Sequence, residues 1–193
     1  MVSRLVTPPA AEPLSLAEAK AHLRLEVSED DVQVAALIKA ARQWAEGYLW
    51  RRIVTQTWEL LLDGFPARGN FELPEGHLSG LIPVSFVKYL PVSGPLQTLA
   101  TSAYLVDSAS VPGRILLPFG GVWPTTLCQW DSVQAQYTVG WAVSDVPEDV
   151  KHGLLLVVSQ LYEHRTPEVT GAIVSQVRFA VEALLAPHRL AGF

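Results

Sequence analysis

The N-terminal third of the chain has a pattern of apolar and polar positions that is typical of amphipathic helices. Between Ser15 and Arg52, apolar residues recur every three or four positions. Ser15 and Glu18 form a capping-box motif, and Ser28 precedes three carboxylates that favour a helix start. The pattern predicts a short helix up to residue 24, followed by a helix of about six turns.

After Arg52 the apolar period changes from about 3.6 to 2, which indicates β-strands. Residues 54–62 and 132–139 alternate most regularly. Further strands are predicted at residues 71–73 (a return strand), 82–90, 96–98, 103–107 and 114–117. The last two are expected to form a hairpin. Pro83 favours an edge position for residues 82–90. Residues 119–126 are expected to form an irregular loop that could carry a contact site.

The C-terminal third returns to a helical pattern. Pro147 suits the first position of a helix, and the two acidic residues after it suit the first turn. Residues 150–162 are apolar nearly all round, which predicts a helix buried on most sides and packed against the N-terminal helices. A last short helix is predicted over residues 177–185.

These elements predict an α+β fold, in which a helical bundle of N-terminal and C-terminal helices carries an inserted antiparallel β-sheet subdomain. The expected segments are an extended arm at 1–14, a helical core at 15–52 and 146–165, a β-rich insert at 53–145 and a C-terminal docking segment at 166–193. The insert is expected to hold about five to seven strands. Prolines favour an extended arm that is either disordered or laid on a neighbouring molecule.

Composition narrows the class of protein. The chain is 49% hydrophobic and has six tryptophans, which fits either buried subunit contacts or a large ordinary core. A net charge of −5 argues against a protein that grips nucleic acid, although DNA could pass a weakly acidic bore. The single cysteine, Cys128, excludes an internal disulfide. Neither a leader peptide nor a membrane span is expected, so we expect synthesis in the cytosol.

No motif predicts catalysis, a metal site or a cofactor. The five histidines are dispersed and lack zinc-ligand spacing, and no nucleophile elbow or phosphate-binding loop occurs. Basic residues occur along the C-terminal region, at Arg165, Arg178 and Arg189, whereas the helix starts are acidic. This separation fits either matched edges of neighbouring subunits in a ring or ordinary solvated charge.

A series of motifs occurs in order along nearly the whole chain. They are Thr7-Pro8-Pro9, EPLSLAEAKAHLR at 12–24, Glu29-Asp30-Asp31, TQTWEL at 55–60, PGRI at 112–115, YTVGW at 137–141, VPEDVK at 146–151, YEHR at 162–165 and VEALLAPHR at 181–189. The ordered set resembles head-tail connector, or adaptor, proteins of long-tailed bacteriophages and gene transfer agents.

The resemblance implies a structural virion protein rather than an enzyme. It implies a ring of twelve subunits beneath the portal protein, at the head-tail junction of the virion. During assembly the protein would be in the host cytoplasm. The ring would extend the DNA channel without binding a specific DNA sequence, and no membrane partner is expected. It would also attach a downstream neck protein, either a stopper or a tail terminator.

Two sets of contact residues follow from this resemblance. The C-terminal residues expected to dock on the portal are Phe179, Leu184, Leu185, His188, Arg189, Leu190 and Phe193. The residues expected at the subunit interface are Lys39, Arg42, Glu46 and Arg165. Two departures from the family pattern affect the docking set: His188 stands where a tyrosine is expected, and residues 175–179 contain fewer prolines than expected.

Two other functions stay open from the sequence alone. One is a small hydrolase of cell-wall or ester substrates, using residues such as Asp63, His77 or Asp131 brought together by folding. The other is a monomeric β module that binds a ligand.

Overall fold

A computed structural model of the chain describes residues 1–67, 69–80, 83–163 and 173–190. These residues form two compact units. The sheet unit comprises residues 1–10 and 55–140, and the helical unit comprises residues 11–54, 141–163 and 173–190. Four helices and two antiparallel sheets confirm the predicted mixed α+β class. Among the described residues, no helix combines the length and apolarity that a membrane-spanning helix needs.

The helical unit contains α1 (Leu16–Leu23), α2 (Asp31–Leu49), α3 (Glu148–Glu163) and α4 (Ile173–Leu185), followed by a 3₁₀ turn (Ala186–His188). Its core includes Ala19 of α1 and these buried apolar residues of α2, α3 and α4: Val34, Ile38, Ala41, Ala45, Leu49, Val150, Leu154, Val157, Val158, Val181 and Leu185. The period near 3.6 that predicted these helices thus produces one apolar cluster within the unit.

The capping box that starts α1 forms as predicted. The backbone N–H of Glu18 donates to Ser15 Oγ at 3.2 Å, and the N–H of Ser15 donates to Glu18 Oε2 at 2.7 Å. Hydrogen bonds from the Ser15 side chain and backbone lower the pKa of Glu18 below its usual value. The box therefore fixes the entry into α1 while the carboxylate is ionised.

The described residues of the sheet unit form eight strands: β1 (Val2–Thr7), β2 (Gln56–Leu62), β3 (Asn70–Leu73), β4 (Val84–Tyr89), β5 (Gln97–Thr98), β6 (Leu105–Asp107), β7 (Gly113–Leu116) and β8 (Val133–Val139). One sheet has the order β1-β2-β8-β4-β5, and the other has the order β3-β7-β6. The predicted hairpin is confirmed as β6 paired with β7.

One apolar core serves both sheets. β8 lies between β2 and β4, and its residues alternate between buried and half-buried positions. The cluster includes residues of the larger sheet and residues of the smaller sheet: Leu60, Leu62, Val87, Val133, Ala135, Tyr137, Phe71, Leu73 and Ile115. Burial on one face of each sheet explains the period-2 pattern in the sequence.

Three strand predictions were wrong in detail. Residues 2–7 pair with β2 of the same chain instead of being disordered or lying on a neighbour; three of these six residues, which precede the prolines, are β-branched and favour a strand. β4 lies inside its sheet, since Pro83 precedes the first paired residue and its carbonyl accepts from Thr138 N–H at 2.8 Å. β3 pairs with β7 rather than returning beside β2.

Gly113 at the start of β7 is predicted to be a position where any side chain destabilises the sheet unit. A Cβ at this position would lie 2.4 Å from Leu78 Cγ, and Leu78 is buried in the core of the sheet unit. Gly113→Ala should lower the free energy of unfolding by about 1–3 kcal/mol through overpacking. Urea unfolding followed by tryptophan fluorescence measures this change.

Gly64→Ala is the matched control for Gly113→Ala. Its added Cβ would meet Thr126 Oγ1 at 3.5 Å, which is an ordinary contact. We expect a change within about 0.5 kcal/mol. Equal effects of the two substitutions would show that the Leu78 contact is not limiting.

Candidate interaction surfaces

A buried ion cluster lies on the inner side of α2. Arg42 Nε contacts Glu12 Oε2 at 2.6 Å, and Arg42 NH1 contacts Glu46 Oε2 at 3.0 Å. Glu46 Oε1 accepts a hydrogen bond from the backbone N–H of Ile53 at 3.1 Å, and Arg52 NH1 lies 3.6 Å from Glu46 Oε2. The cluster joins the segment before α1, α2 itself and the segment after α2.

Arg42 and Glu46 therefore do not form the exposed subunit contact that the sequence predicted. Each is only 4% exposed. Burial alone would lower the pKa of Arg42, but hydrogen bonds and charges of Glu12 and Glu46 outweigh it and raise the pKa above its usual value. The residues were misassigned because a charged position in an amphipathic helix is normally solvated, whereas these two charges compensate each other.

The outer face of α2 is exposed along its whole length. We define it by residues three or four positions apart on one side of the helix: Val32, Ala36, Lys39, Ala40, Gln43, Gly47 and the adjoining Trp50. Lys39 is the one member of this set with a charge, and it is exposed as predicted. Small side chains lie between two large apolar ones, so the face is apolar and has space for a neighbouring element.

Trp50 ends α2 in an unusual conformation. Its φ of 57° lies in the left-handed region, where glycine or asparagine usually ends a helix. The side chain is 55% exposed. Arg24 ends α1 with the same φ of 57°, so the left-handed cap ends both helices, and the exposed indole is the feature that distinguishes Trp50.

A second aromatic group covers the neighbouring side of α2. Trp44 is stacked on Tyr48 with ring centroids 5.9 Å apart, and the Arg189 guanidinium lies 5.0 Å from the Tyr48 ring centroid. Trp44 and Arg189 remain exposed. The C-terminal segment therefore lies beside the last turns of α2.

The C-terminal segment is anchored by packing. Val181 and Leu185 of α4 are buried against the helical core, and a Cβ added at Gly153 of α3 would lie 3.2 Å from Leu185 Cδ2. The backbone N–H of Leu190 donates to the carbonyl of Leu49 at 3.0 Å. α4 thus packs closely on α3, and the residues after it are held against the end of α2.

Polar and aromatic contacts hold the 3₁₀ turn after α4. His188 Nε2 lies 2.8 Å from Asp149 Oδ2, and its carbonyl accepts from Arg51 NH1 at 3.3 Å. The His188 ring meets the Trp141 ring edge-to-face at 5.8 Å, and the Arg51 guanidinium lies 4.2 Å from the Trp141 centroid. Burial lowers the pKa of Arg51. The sequence did not reveal this group, because its members lie far apart along the chain.

The predicted docking residues fall into different environments. Phe179 is 74% exposed and Arg189 is exposed, while Leu184 and Leu190 are half-buried. Leu185 is fully buried, so it is a core residue and not a docking contact; the apolar pattern of α4 does not distinguish its two sides. His188 is held within the unit. Phe193 and the predicted interface residue Arg165 lie outside the described residues.

The sheet unit exposes apolar side chains on the segment between β7 and β8. Phe119, Val122 and Trp130 are exposed, and residues 117–130 contain no charged residue. Within the same unit, Phe65 is stacked on Trp123 with ring centroids 4.6 Å apart. A cavity of about 510 Å³ is lined by this stack together with Pro66, Leu117, Pro124 and Thr125. Phe119 and Val122 lie in the irregular loop predicted over residues 119–126, and the role of this loop as a contact site stays a prediction.

The residues considered for a hydrolase do not supply catalytic geometry. Asp63 Oδ1 accepts a hydrogen bond from the backbone N–H of Asp131 at 3.3 Å. This contact occupies the carboxylate in a turn instead of orienting a base. The carbonyl of His77 accepts from Gly140 N–H at 3.3 Å. Across the described ranges, His, Cys, Asp and Glu residues form no group of three that could hold a metal ion.

Comparisons with known proteins agree with the resemblance seen in the sequence. Residues 13–79 match the family model of phage gp6-like head-tail connector proteins, and this segment is less than half of the chain. The match confirms the resemblance to head-tail connectors. No curated protein matches the chain significantly.

Three solved structures are similar to this one over its full length. One comes from the neck of an empty GTA particle computed with C6 symmetry, with a TM-score of 0.80 and 21% identity. The others come from the virion of a native gene transfer agent (GTA) particle (0.79, 21%) and the neck of a native GTA particle computed with C12 symmetry (0.75, 20%). Each match covers 100% of this chain and 97% of the other. These similarities establish the fold. They give no support to a hydrolase or a ligand-binding module.

The buried cluster on α2 generates a stability prediction. Arg42→Met leaves the buried carboxylate of Glu46 and the half-buried carboxylate of Glu12 without their shared cation, so the free energy of unfolding should fall by about 3 kcal/mol. Urea unfolding followed by helical circular dichroism measures the loss. Lys39→Met, on the exposed side of the same helix, is the control and should change stability by less than about 0.5 kcal/mol. A loss below 1 kcal/mol for Arg42→Met would contradict the role of the cluster.

Proposed function

We propose that the chain is a head-tail connector subunit that forms a ring at the head-tail junction of a virion. The family-model match over residues 13–79 carries this proposal, and the fold shared with neck proteins supports it. The role is structural: the family match and the similar structures describe neck components rather than enzymes. In this reading the four helices act as one bundle into which the sheet unit is inserted.

The ring follows from the symmetric assemblies of the similar proteins. Their necks were computed with C6 and C12 symmetry, which supports a homo-oligomeric ring and suggests twelve subunits for this chain. A subunit in a ring makes a heterologous contact, so each copy needs two different surfaces. This proposal keeps only Lys39 of the predicted interface residues. Arg42 and Glu46 are buried, and Arg165 lies outside the described residues.

We propose the outer face of α2 as one of these two surfaces. Its small residues permit close approach of a neighbouring element, and Val32 and Trp50 supply apolar area at its two ends. Aromatic side chains are enriched in interfaces. Removing the Trp50 indole from water in the ring would offset the cost of its exposure and of its left-handed backbone.

The C-terminal segment is proposed to dock on the portal. Support comes from Phe179 and Arg189, which are exposed at the two ends of a segment that is otherwise anchored to the helical unit. Leu184 and Leu190 are half-buried, so each can add apolar area at its exposed part. Phe193 keeps its proposed docking role from the sequence alone. A pre-anchored segment loses less conformational entropy on binding than a disordered one.

The sheet unit is proposed to meet the downstream stopper or tail-terminator protein. The uncharged segment between β7 and β8 exposes Phe119, Val122 and Trp130, and exposed apolar residues of this kind mark protein contacts. DNA would pass through the ring without sequence-specific binding. The net charge of −5 supports passage rather than a grip on phosphate.

Ring formation is tested by placing a charge on the outer face of α2. Ala40→Arg should reduce the fraction of rings seen by negative-stain electron microscopy, with or without the portal, at least tenfold relative to the unchanged protein. A buried, unpaired guanidinium at the contact is the physical reason. Ala109→Arg changes an exposed alanine of the sheet unit and should leave the rings intact. Normal rings from Ala40→Arg would refute this interface.

Portal docking is tested with the double substitution Phe179→Ser and Arg189→Ser. We expect at least a tenfold loss of co-purification with portal, because an aromatic anchor and a charged contact are both removed. Val143→Ser, at an exposed position elsewhere in the helical unit, is the control. Point substitutions are preferable to deleting residues 186–193, since His188 and Leu190 also hold the segment to its own unit. Undiminished co-purification would refute the docking assignment.

A further inference from the structure

The end of α2 is bound by residues that follow α4. A helix leaves its last carbonyl groups without partners inside the helix, so other groups must supply them. The carbonyl of Leu49, the last residue of α2, accepts from the backbone N–H of Leu190 at 3.0 Å. At the end of α1, by contrast, the carbonyl of Lys20 accepts from the N–H of Leu25, two positions after that helix, at 3.0 Å. The partner for the end of α2 thus comes from the C-terminal part of the chain.

Two further contacts lie beside this hydrogen bond. The Arg189 guanidinium lies 5.0 Å from the centroid of the Tyr48 ring. Arg51 NH1 donates to the carbonyl of His188 at 3.3 Å. Three consecutive residues after α4 therefore contact residues 48, 49 and 51.

Trp50 lies between the residues that are bound in this way. Its φ of 57° is left-handed, a conformation that costs free energy in a residue with a Cβ and that surrounding contacts must hold. The rotamers open to a side chain depend on its backbone conformation. Residues 188–190 thereby restrict the turn at Trp50 and, with it, the positions that the exposed indole can occupy.

Both sides of this contact are fixed within the helical unit. Leu185, at the end of α4, is fully buried, and His188 Nε2 lies 2.8 Å from Asp149 Oδ2 of α3. Arg51 is buried, and its guanidinium lies 4.2 Å from the centroid of the Trp141 ring. The turn between the two sides is therefore held in one conformation.

We propose that residues 188–190 position Trp50 for the neighbouring subunit of the ring. This inference rests on the ring contact proposed for the outer face of α2, and it gives the residues after α4 a role in addition to portal docking. A side chain that is already oriented loses less conformational entropy on binding than a freely rotating one. The contact stays heterologous, as a ring requires, because Trp50 of one copy meets a different surface of the next.

The test compares Leu190→Pro with Leu190→Ala in the full chain. Both substitutions remove the leucine side chain, but only proline removes the N–H that donates to Leu49. Arg189 has φ −71° and ψ 132°, the extended conformation that a residue before proline prefers. The fraction of chains in rings, counted by negative-stain electron microscopy, should be at least about tenfold lower for Leu190→Pro than for Leu190→Ala.

Hydrogen exchange of the two variants before assembly separates positioning from a general loss of stability. The amides of residues 50–52 should exchange at least about tenfold faster in Leu190→Pro than in Leu190→Ala, whereas the amides of α3 should exchange at equal rates. Faster exchange throughout α3 would show that this N–H serves the stability of the whole unit, and would overturn the proposal. Equal exchange at residues 50–52 would overturn it as well.

Two comparisons separate this inference from the proposals on which it rests. Phe179→Ser removes an exposed docking residue from α4. An equal loss of rings in Phe179→Ser and Leu190→Pro would show that docking controls the rings, and would overturn the positioning role. Equal rings in both Leu190 variants, with rings lost in Ala40→Arg, would overturn this inference alone. Intact rings in Leu190→Pro and in Ala40→Arg would refute the ring contact on α2 as well.

Discussion

The helical unit depends on the buried ion cluster of Arg42. This guanidinium binds Glu12, from the segment before α1, and Glu46, one turn further along α2. Glu46 in turn accepts a hydrogen bond from Ile53 N–H, and the carbonyl of Ile53 accepts from Trp141 N–H at 2.8 Å. The cluster thus connects, through Ile53, the point where the chain leaves the helical unit with the point where it returns. The free-energy cost of burying the charges of Arg42 and Glu46 is offset because each has an oppositely charged partner.

Arg42 and Glu46 lie on the buried side of α2, beside its apolar core residues. The exposed side of the same helix has one charged residue, Lys39, among alanine, glycine, glutamine and tryptophan. A low charge on an exposed helix face is understandable if that face becomes buried on assembly. At the C-terminal end of the unit, Leu185 and His188 hold the last segment in place while Phe179 and Arg189 stay exposed.

The sequence predicted what local patterns encode. Apolar periodicity and capping residues predicted the helices, and apolar–polar alternation predicted β2 and β8. Burial of one face of an element produces a regular apolar period in its sequence. The pairing partners of the strands could not be predicted in the same way. β3 pairs with β7, some forty residues further along the chain, and no local sequence signal specifies this pairing. The interface prediction was wrong for Arg42 and Glu46 because burial of a charge depends on a partner thirty residues away, Glu12. The group of Arg51, Trp141 and His188 was missed for the same reason.

The central claim is that this chain is a ring component between portal and tail. Cryo-electron microscopy of the particle that contains the protein tests it most directly. The account predicts a ring of density at the head-tail junction into which this fold fits, with α2 between neighbouring copies and α4 toward the portal. A junction fully accounted for by other proteins, or this chain located elsewhere in the particle, would contradict it.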